Sequence, residues 1–181
     1  HGAGPFPTEE AGLALPEPHN SVGPWQGGFR QGWLDTVLPR YAIACCGGVD
    51  ELAVTHLDRV RDDWRVCTAY EEMPAELYAG GELRQGPFQD LDYQERLGQA
   101  LASCRPAYRT VGVKGFLPLL EEQLGVSVGL ESWGPCSEDK RLAYWPSRRH
   151  SSRVFSAGIS VAGLGCGTPF WVCRPGSGGV S

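Results

Sequence analysis

Residues 23–35 read Gly-Pro-Trp-Gln-Gly-Gly-Phe-Arg-Gln-Gly-Trp-Leu-Asp. No helix or strand accommodates most of that run, so the rest of the chain has to be arranged around a loop here. Glycine lets a backbone approach a ligand and take torsions closed to other residues. Trp25 and Trp33 supply flat apolar walls. Arg30 supplies a planar cation that can hold a carboxylate or a phosphate through two parallel hydrogen bonds. A helical pattern begins straight after the run. Two readings stay open from this stretch alone: a ligand loop feeding a helix, or a structural turn with one exposed arginine.

The 181 residues are enough for one domain with a sizeable core. The 25 glycines and 14 prolines demand many turns and long loops. A net charge of −5 argues against a general nucleic-acid or membrane-surface binder, which would carry basic patches. No apolar run is long enough to span a bilayer, and no signal peptide is visible. The chain opens with His1 rather than methionine, which suggests a longer parent sequence. Seven cysteines occur without a C-x-x-C pair, and His1, His19, His56 and His150 show no ligand spacing, so no metal site is expected. Cys45, Cys67 and Cys104 fall in apolar patterns and are expected to be buried free thiols.

Periodicity places alternating elements along the chain. Leu34, Leu38, Tyr41, Ala42 and Cys45 lie on one helical face that Gly47-Gly48 stops, with Pro39 discordant inside it. Residues 50–58 contain a short buried strand, and residues 64–70 alternate as a second. Residues 71–91 read as loop. Tyr93, Leu97, Ala100, Leu101 and Cys104 form one helical stripe, and Phe116, Leu117, Leu120 and Leu124 another that ends at Gly125. Val126, Val128 and Leu130 alternate as a further strand. The expectation is an α/β class with a partial mixed sheet and flanking helices. Residues 1–145 form the domain. Residues 146–181 read as a disordered or loosely held tail, with one short strand possible over 154–161.

Two strand ends carry candidate chemistry, because ligands in α/β sheets bind outside the carboxyl ends of strands. At Thr55-His56-Leu57-Asp58, a buried aspartate can accept from N1–H and the 2-amino group of guanine. Adenine offers neither donor in that geometry, and each such charge-assisted bond is worth about 1.5–3 kcal/mol. The competing reading makes Asp58 the cap of a helix starting near Arg59. At Ser132-Trp133-Gly134-Pro135, a turn could cover a base with backbone and an aromatic face. No phosphate-cradling glycine loop with a lysine is present, nor a G-x-S-x-G or H-E-x-x-H motif.

At these residues the chain resembles the adenylosuccinate synthetase family, in its C-terminal half. Gly2-Ala3-Gly4-Pro5-Phe6-Pro7-Thr8-Glu9 is similar to the family's GxGPFPTE signature, and Arg30-Gln31-Gly32-Trp33-Leu34-Asp35 to its RxGWxD run. Thr55-His56-Leu57-Asp58 is similar to the TKLD guanine motif, with His56 in place of lysine. Ser132-Trp133-Gly134-Pro135 is similar to STGP, with Trp133 in place of threonine. Trp25-Gln26-Gly27-Gly28-Phe29-Arg30 resembles a divergent WQGxFR branch, without the several arginines usual in the family loop. The resemblance implies GTP-driven ligation of IMP and L-aspartate with magnesium, through a 6-phosphoryl-IMP intermediate. By position it implies GTP contacts at His56, Leu57, Asp58, Ser132, Trp133 and Gly134. It likewise implies IMP or aspartate contacts at Gly2, Gln26, Gly27, Gly28 and Arg30. It further implies a cytoplasmic enzyme, homodimeric at full length. The family's catalytic aspartate, GDEGKGK loop and catalytic histidine lie in an N-terminal half with no counterpart here. No catalytic residue is therefore assigned, magnesium is expected to bind mainly through that other half, and the isolated chain is expected to be inactive. A non-catalytic purine-nucleotide module and a degenerate remnant are the alternatives.

Overall fold

The computed structural model describes residues 4–13, 15, 22, 27–142 and, for the backbone, 156–160. The glycine-rich loop leads into a two-residue strand, β1 (Leu34–Asp35), and only then into helix α1 (Val37–Cys45). The helix thus starts later than its apolar spacing suggests, and Leu34 belongs to a sheet. That later start resolves the difficulty with Pro39. The proline lies in the first helical turn, where its missing amide would have had no partner inside the helix. The Asp35 carboxylate accepts the Val37 amide at 2.8 Å and caps that turn. Cys46, Gly47 and Gly48 amides close the far end, the two glycines at φ 75° and 97°.

Strands β2 (Glu51–Thr55) and β3 (Trp64–Glu71) follow. The stretch read as loop over 71–91 contains a small hairpin, β4 (Tyr78–Ala79) and β5 (Glu82–Leu83), with Leu77 buried beneath it. Helix α2 (Leu91–Ser103) buries Tyr93, Leu97, Ala100 and Leu101, the stripe its spacing predicts, and the Asp90 side chain caps it through the Tyr93 amide at 2.9 Å. Strand β6 (Arg105–Val111) was not expected. It pairs antiparallel with β3 along its whole length, but at an edge, with no buried residue to mark it. Helix α3 (Val113–Leu124) buries Phe116, Leu119, Leu120 and Leu124 and ends at Gly125, φ 66°, while Leu117 is only half-buried. Strand β7 (Val128–Ser132) and the short β8 (Lys140–Leu142) complete the family of elements before β9 (Ser156–Ser160), which lies where a strand was expected near the end of the chain. The remainder of 146–181 lies outside the described residues.

The architecture is mixed α/β. One sheet runs β1-β3-β6, parallel then antiparallel; the other runs β8-β7-β2-β9, with β7, β2 and β9 parallel and β8 antiparallel. One core joins β2, β3, α3 and β7 through Leu52, Val54, Trp64, Val66, Phe116, Leu120 and Val128. A second joins α1, β3 and α2 through Val37, Cys67, Tyr70 and Leu97. Of the three cysteines expected to be buried, Cys67 is, Cys104 is half-buried, and Cys45 is exposed because it sits on the last turn of α1, past the covered face. Burial pushes the Cys104 thiol up to about 11.

Tyr70 ties the second core to β1 by donating its hydroxyl to the Asp35 carboxylate. Desolvation outweighs that bond and the helix-cap bonds, and holds the Asp35 carboxyl above its ordinary 3.8. The folded state therefore keeps a proton that the unfolded chain has already released in the window above pH 3.8. Stability from this group falls as pH rises through that window and then levels. Asp35→Asn is expected to remove the slope. Melting temperatures of the two proteins should diverge with pH in that direction, the wild type losing ground as pH rises. A pH-independent difference would refute this account.

Candidate nucleotide-base site

The register of the second sheet builds the site. Parallel pairing sets Val54 opposite Glu131, so β2 and β7 end side by side and the residues after each leave the sheet at the same edge. Both turns singled out in the sequence are therefore neighbours, although 76 positions separate Asp58 from Gly134.

After β2 the chain turns at His56, whose φ of 61° is left-handed and uncommon for a residue with a side chain. Its Nδ1 lies 3.0 Å from the Thr55 hydroxyl. That turn starts a single 3-10 turn, Leu57–Arg59, closed by the Arg59 and Val60 amides. Leu57 is 2% exposed and belongs to the core, so it anchors the turn from below. Asp58 differs from both readings of the sequence. It is exposed rather than buried, and no side chain caps this turn; its carboxylate meets Arg59 Nε at 3.0 Å. The cause is local: with Leu57 pointing into the core, the next residue of a one-turn helix points out.

The turn after β7 is cross-braced. Ser132 is buried, and its hydroxyl donates to the Gly134 carbonyl at 3.3 Å. The Trp133 amide donates to the Asp139 carbonyl at 2.9 Å, and Lys140 Nζ donates to the Gly134 and Cys136 carbonyls. A β-carbon at Gly134 would crowd Asp139 Oδ2, so a side chain there would require the Asp139 carboxylate to shift. The Trp133 ring packs against the core, donates its Nε1–H to Glu131 at 2.8 Å, and carries the Arg141 guanidinium 5.3 Å above it. The indole thus braces the turn. Arg141, Glu131, Asp139 and Lys140 were not singled out as site residues in the sequence, and β8, exposed at all three positions, leaves no apolar pattern that could have signalled them.

The glycine-rich loop sits on the approach to β1 in the other sheet. Its residues pair with the first loop: the Trp33 amide donates to the Thr8 carbonyl at 3.0 Å and the Glu10 amide to the Gln31 carbonyl at 2.8 Å. Gly32 lies against Thr8 and the Phe6 ring, where a β-carbon would collide with both. Arg30 grips Glu9 with two parallel bonds, Nε at 3.0 Å and Nη2 at 2.7 Å, and Nη1 donates to the Gly4 carbonyl at 2.7 Å. The pair holds the Glu9 carboxyl below its ordinary value through its hydrogen bonds to Arg30. Gly27 and Gly28 are exposed, with open space around both. Gly2 and Gln26 lie outside the described residues. The two loop systems share the core with the base site, since Trp33 and Leu34 pack in the same cluster as Leu57 and Trp133.

Among the described residues no cluster of three His, Cys, Asp or Glu side chains could hold a metal ion, and no described helix is long and apolar enough to cross a membrane.

A family model for adenylosuccinate synthetase matches residues 1–140. The chain is 34% identical to the adenylosuccinate synthetase of Nitratidesulfovibrio vulgaris (strain Miyazaki F) over 158 residues, covering 74% of this chain and 33% of that protein. It is 36% identical to that of Desulforudis audaxviator over 161 residues, covering 76% and 34%. The chain therefore spans about a third of the length of the curated relatives it matches. In fold it resembles the fully ligated adenylosuccinate synthetase of Plasmodium falciparum, with a TM-score of 0.55 and 17% identity over 79% of this chain and 37% of that one.

Proposed function

The chain belongs to the adenylosuccinate synthetase family, and from that premise we propose that its paired strand-end turns recognise the base of GTP in a GTP-dependent ligation of IMP with L-aspartate. The observation that carries this is the convergence of Thr55-His56-Leu57-Asp58 and Ser132-Trp133-Gly134 at one edge of two adjacent parallel strands. An outward-pointing carboxylate at Asp58 fits a base arriving from solvent: guanine presents N1–H and its 2-amino group as a matched pair of donors. The braced turn 132–134 forms the opposite wall, chiefly through backbone and the buried Ser132.

His56, turned by its left-handed backbone, is assigned to flank the base, and Leu57 holds the turn from within the core. Gly27 and Gly28, with open space around them, leave room for IMP or aspartate to lie against backbone. Gly2 and Gln26 are assigned to the same side by family position alone. Among the described residues no three His, Cys, Asp or Glu side chains gather into a metal site; magnesium is read as accompanying the nucleotide phosphates, and no step of the proposal runs through it. The bond-making groups are assigned to regions of the family outside this match, so this stretch contributes recognition rather than turnover. We read the working enzyme as cytoplasmic and homodimeric, by family position alone.

Equilibrium dialysis of the purified chain with GTP and ITP tests the reading. Inosine lacks the 2-amino group and loses one bond to Asp58, so GTP is expected to bind about tenfold more tightly or better. Equal binding of the two, or no binding of either, would overturn it.

A further inference from the structure

We propose that Arg30 is a positioning residue, a latch that holds the two glycine-bearing loops, 4–10 and 27–33, together as one body, rather than a group that binds IMP or aspartate itself. All three guanidinium nitrogens already have protein partners, two on the Glu9 carboxylate and one on the Gly4 carbonyl. The plane of the group also lies over the Phe6 ring, 5.2 Å from its centre. A ligand carboxylate could use this fork only by displacing Glu9.

What the latch closes is a short ladder. Glu9 bridges Gly32 in antiparallel register, flanked by the Trp33–Thr8 and Glu10–Gln31 backbone bonds. Gln31 continues the join, accepting the Leu15 amide at 2.8 Å and donating to its carbonyl at 2.7 Å. Because Gly32 has no side chain, the loops approach closely enough for Arg30 to reach both Glu9 and Gly4. Beyond this ladder and an isolated bridge at Gly27 the two loops hold no helix or strand, so a bidentate pair between them bears directly on how long the ladder stays shut. Its position matters to the exposed backbone at Gly27 and Gly28, three and two residues before Arg30, which the latch orients. Lysine cannot substitute, since a single ammonium cannot span both carboxylate oxygens and the Gly4 carbonyl.

Hydrogen exchange at the Glu10 and Trp33 amides, corrected for intrinsic rates, reads the latch without any nucleotide, so its outcome is independent of whether GTP binds. R30Q and E9Q are each expected to speed exchange at both amides about threefold or more, and the double variant to add nothing beyond either single one. R30K, which keeps the charge and serves where R30Q fails to accumulate, should also speed exchange. In the wild type the protection should be lost as pH falls through the lowered Glu9 value, because a depressed carboxyl contributes only while ionised. In E9Q that pH dependence should be gone. Unchanged exchange in R30Q and R30K, or additive effects of R30Q and E9Q, would overturn the proposal.

Discussion

Phe116→Ala is expected to lower the unfolding free energy by about 3–5 kcal/mol, the largest loss for any single substitution considered. Phe116 is fully buried on α3 and lies in the cluster that joins β2, β3 and β7. Truncation removes its transfer energy and leaves a cavity that neighbours on two strands and a helix cannot all move to fill. For a chain of this length the midpoint of thermal unfolding should fall by about 6–20 °C, if unfolding is cooperative. The comparison also bears on whether this is a degenerate remnant. A remnant would melt broadly and respond little to the substitution. A sharp transition that Phe116→Ala shifts, measured by circular dichroism, is the expected result, and a shift within about 2 °C would mean that the cluster does not hold the fold together.

The same core explains why parts of the fold were legible in the sequence and others were not. The α2 stripe Tyr93, Leu97, Ala100 and Leu101 and the α3 residues Phe116, Leu120 and Leu124 face one large apolar surface each, so their spacing carries the signal. β6 faces no such surface. It is an edge strand whose stability comes from backbone pairing with β3, and backbone pairing leaves no mark on side-chain type. The start of α1 was misplaced because Leu34 and Leu38 satisfy a helical spacing by coincidence; Leu34 is buried from β1 instead.

The candidate site divides in the same way. The two turns could be named from the sequence because each follows an apolar strand and carries polar and glycine residues where the strand must stop. Their adjacency could not, since it depends on the parallel register of Val54 with Glu131. Asp58 was expected to be buried, and whether it points in or out depends on Leu57 taking the core position of a one-turn helix. Trp133 was expected to offer a face to a base; its ring is engaged by Glu131, by Arg141 and by the core. Arg30 divides the same way: an arginine in a glycine-rich loop suggests a carboxylate or phosphate partner, but that the fold brings it the Glu9 carboxylate, twenty-one positions earlier, could not be read from the sequence.

The central claim is that Asp58 reads guanine, and exchanging a single atom tests it. Asp58→Asn replaces a carboxylate, which accepts from both guanine donors, with an amide that offers one acceptor and one donor. That pattern fits xanthine, which keeps N1–H but carries an oxygen where guanine has its amino group. Asp58 is exposed and lies outside the core, so the substitution should leave the fold intact. The measurement is a pair of titrations, GTP and XTP, into the wild-type and Asp58→Asn chains. The account predicts that the variant binds GTP about ten- to a hundredfold more weakly and binds XTP more tightly than the wild type does. A variant that keeps the wild-type order and strength for both nucleotides would contradict it, and would remove Asp58 from the base site.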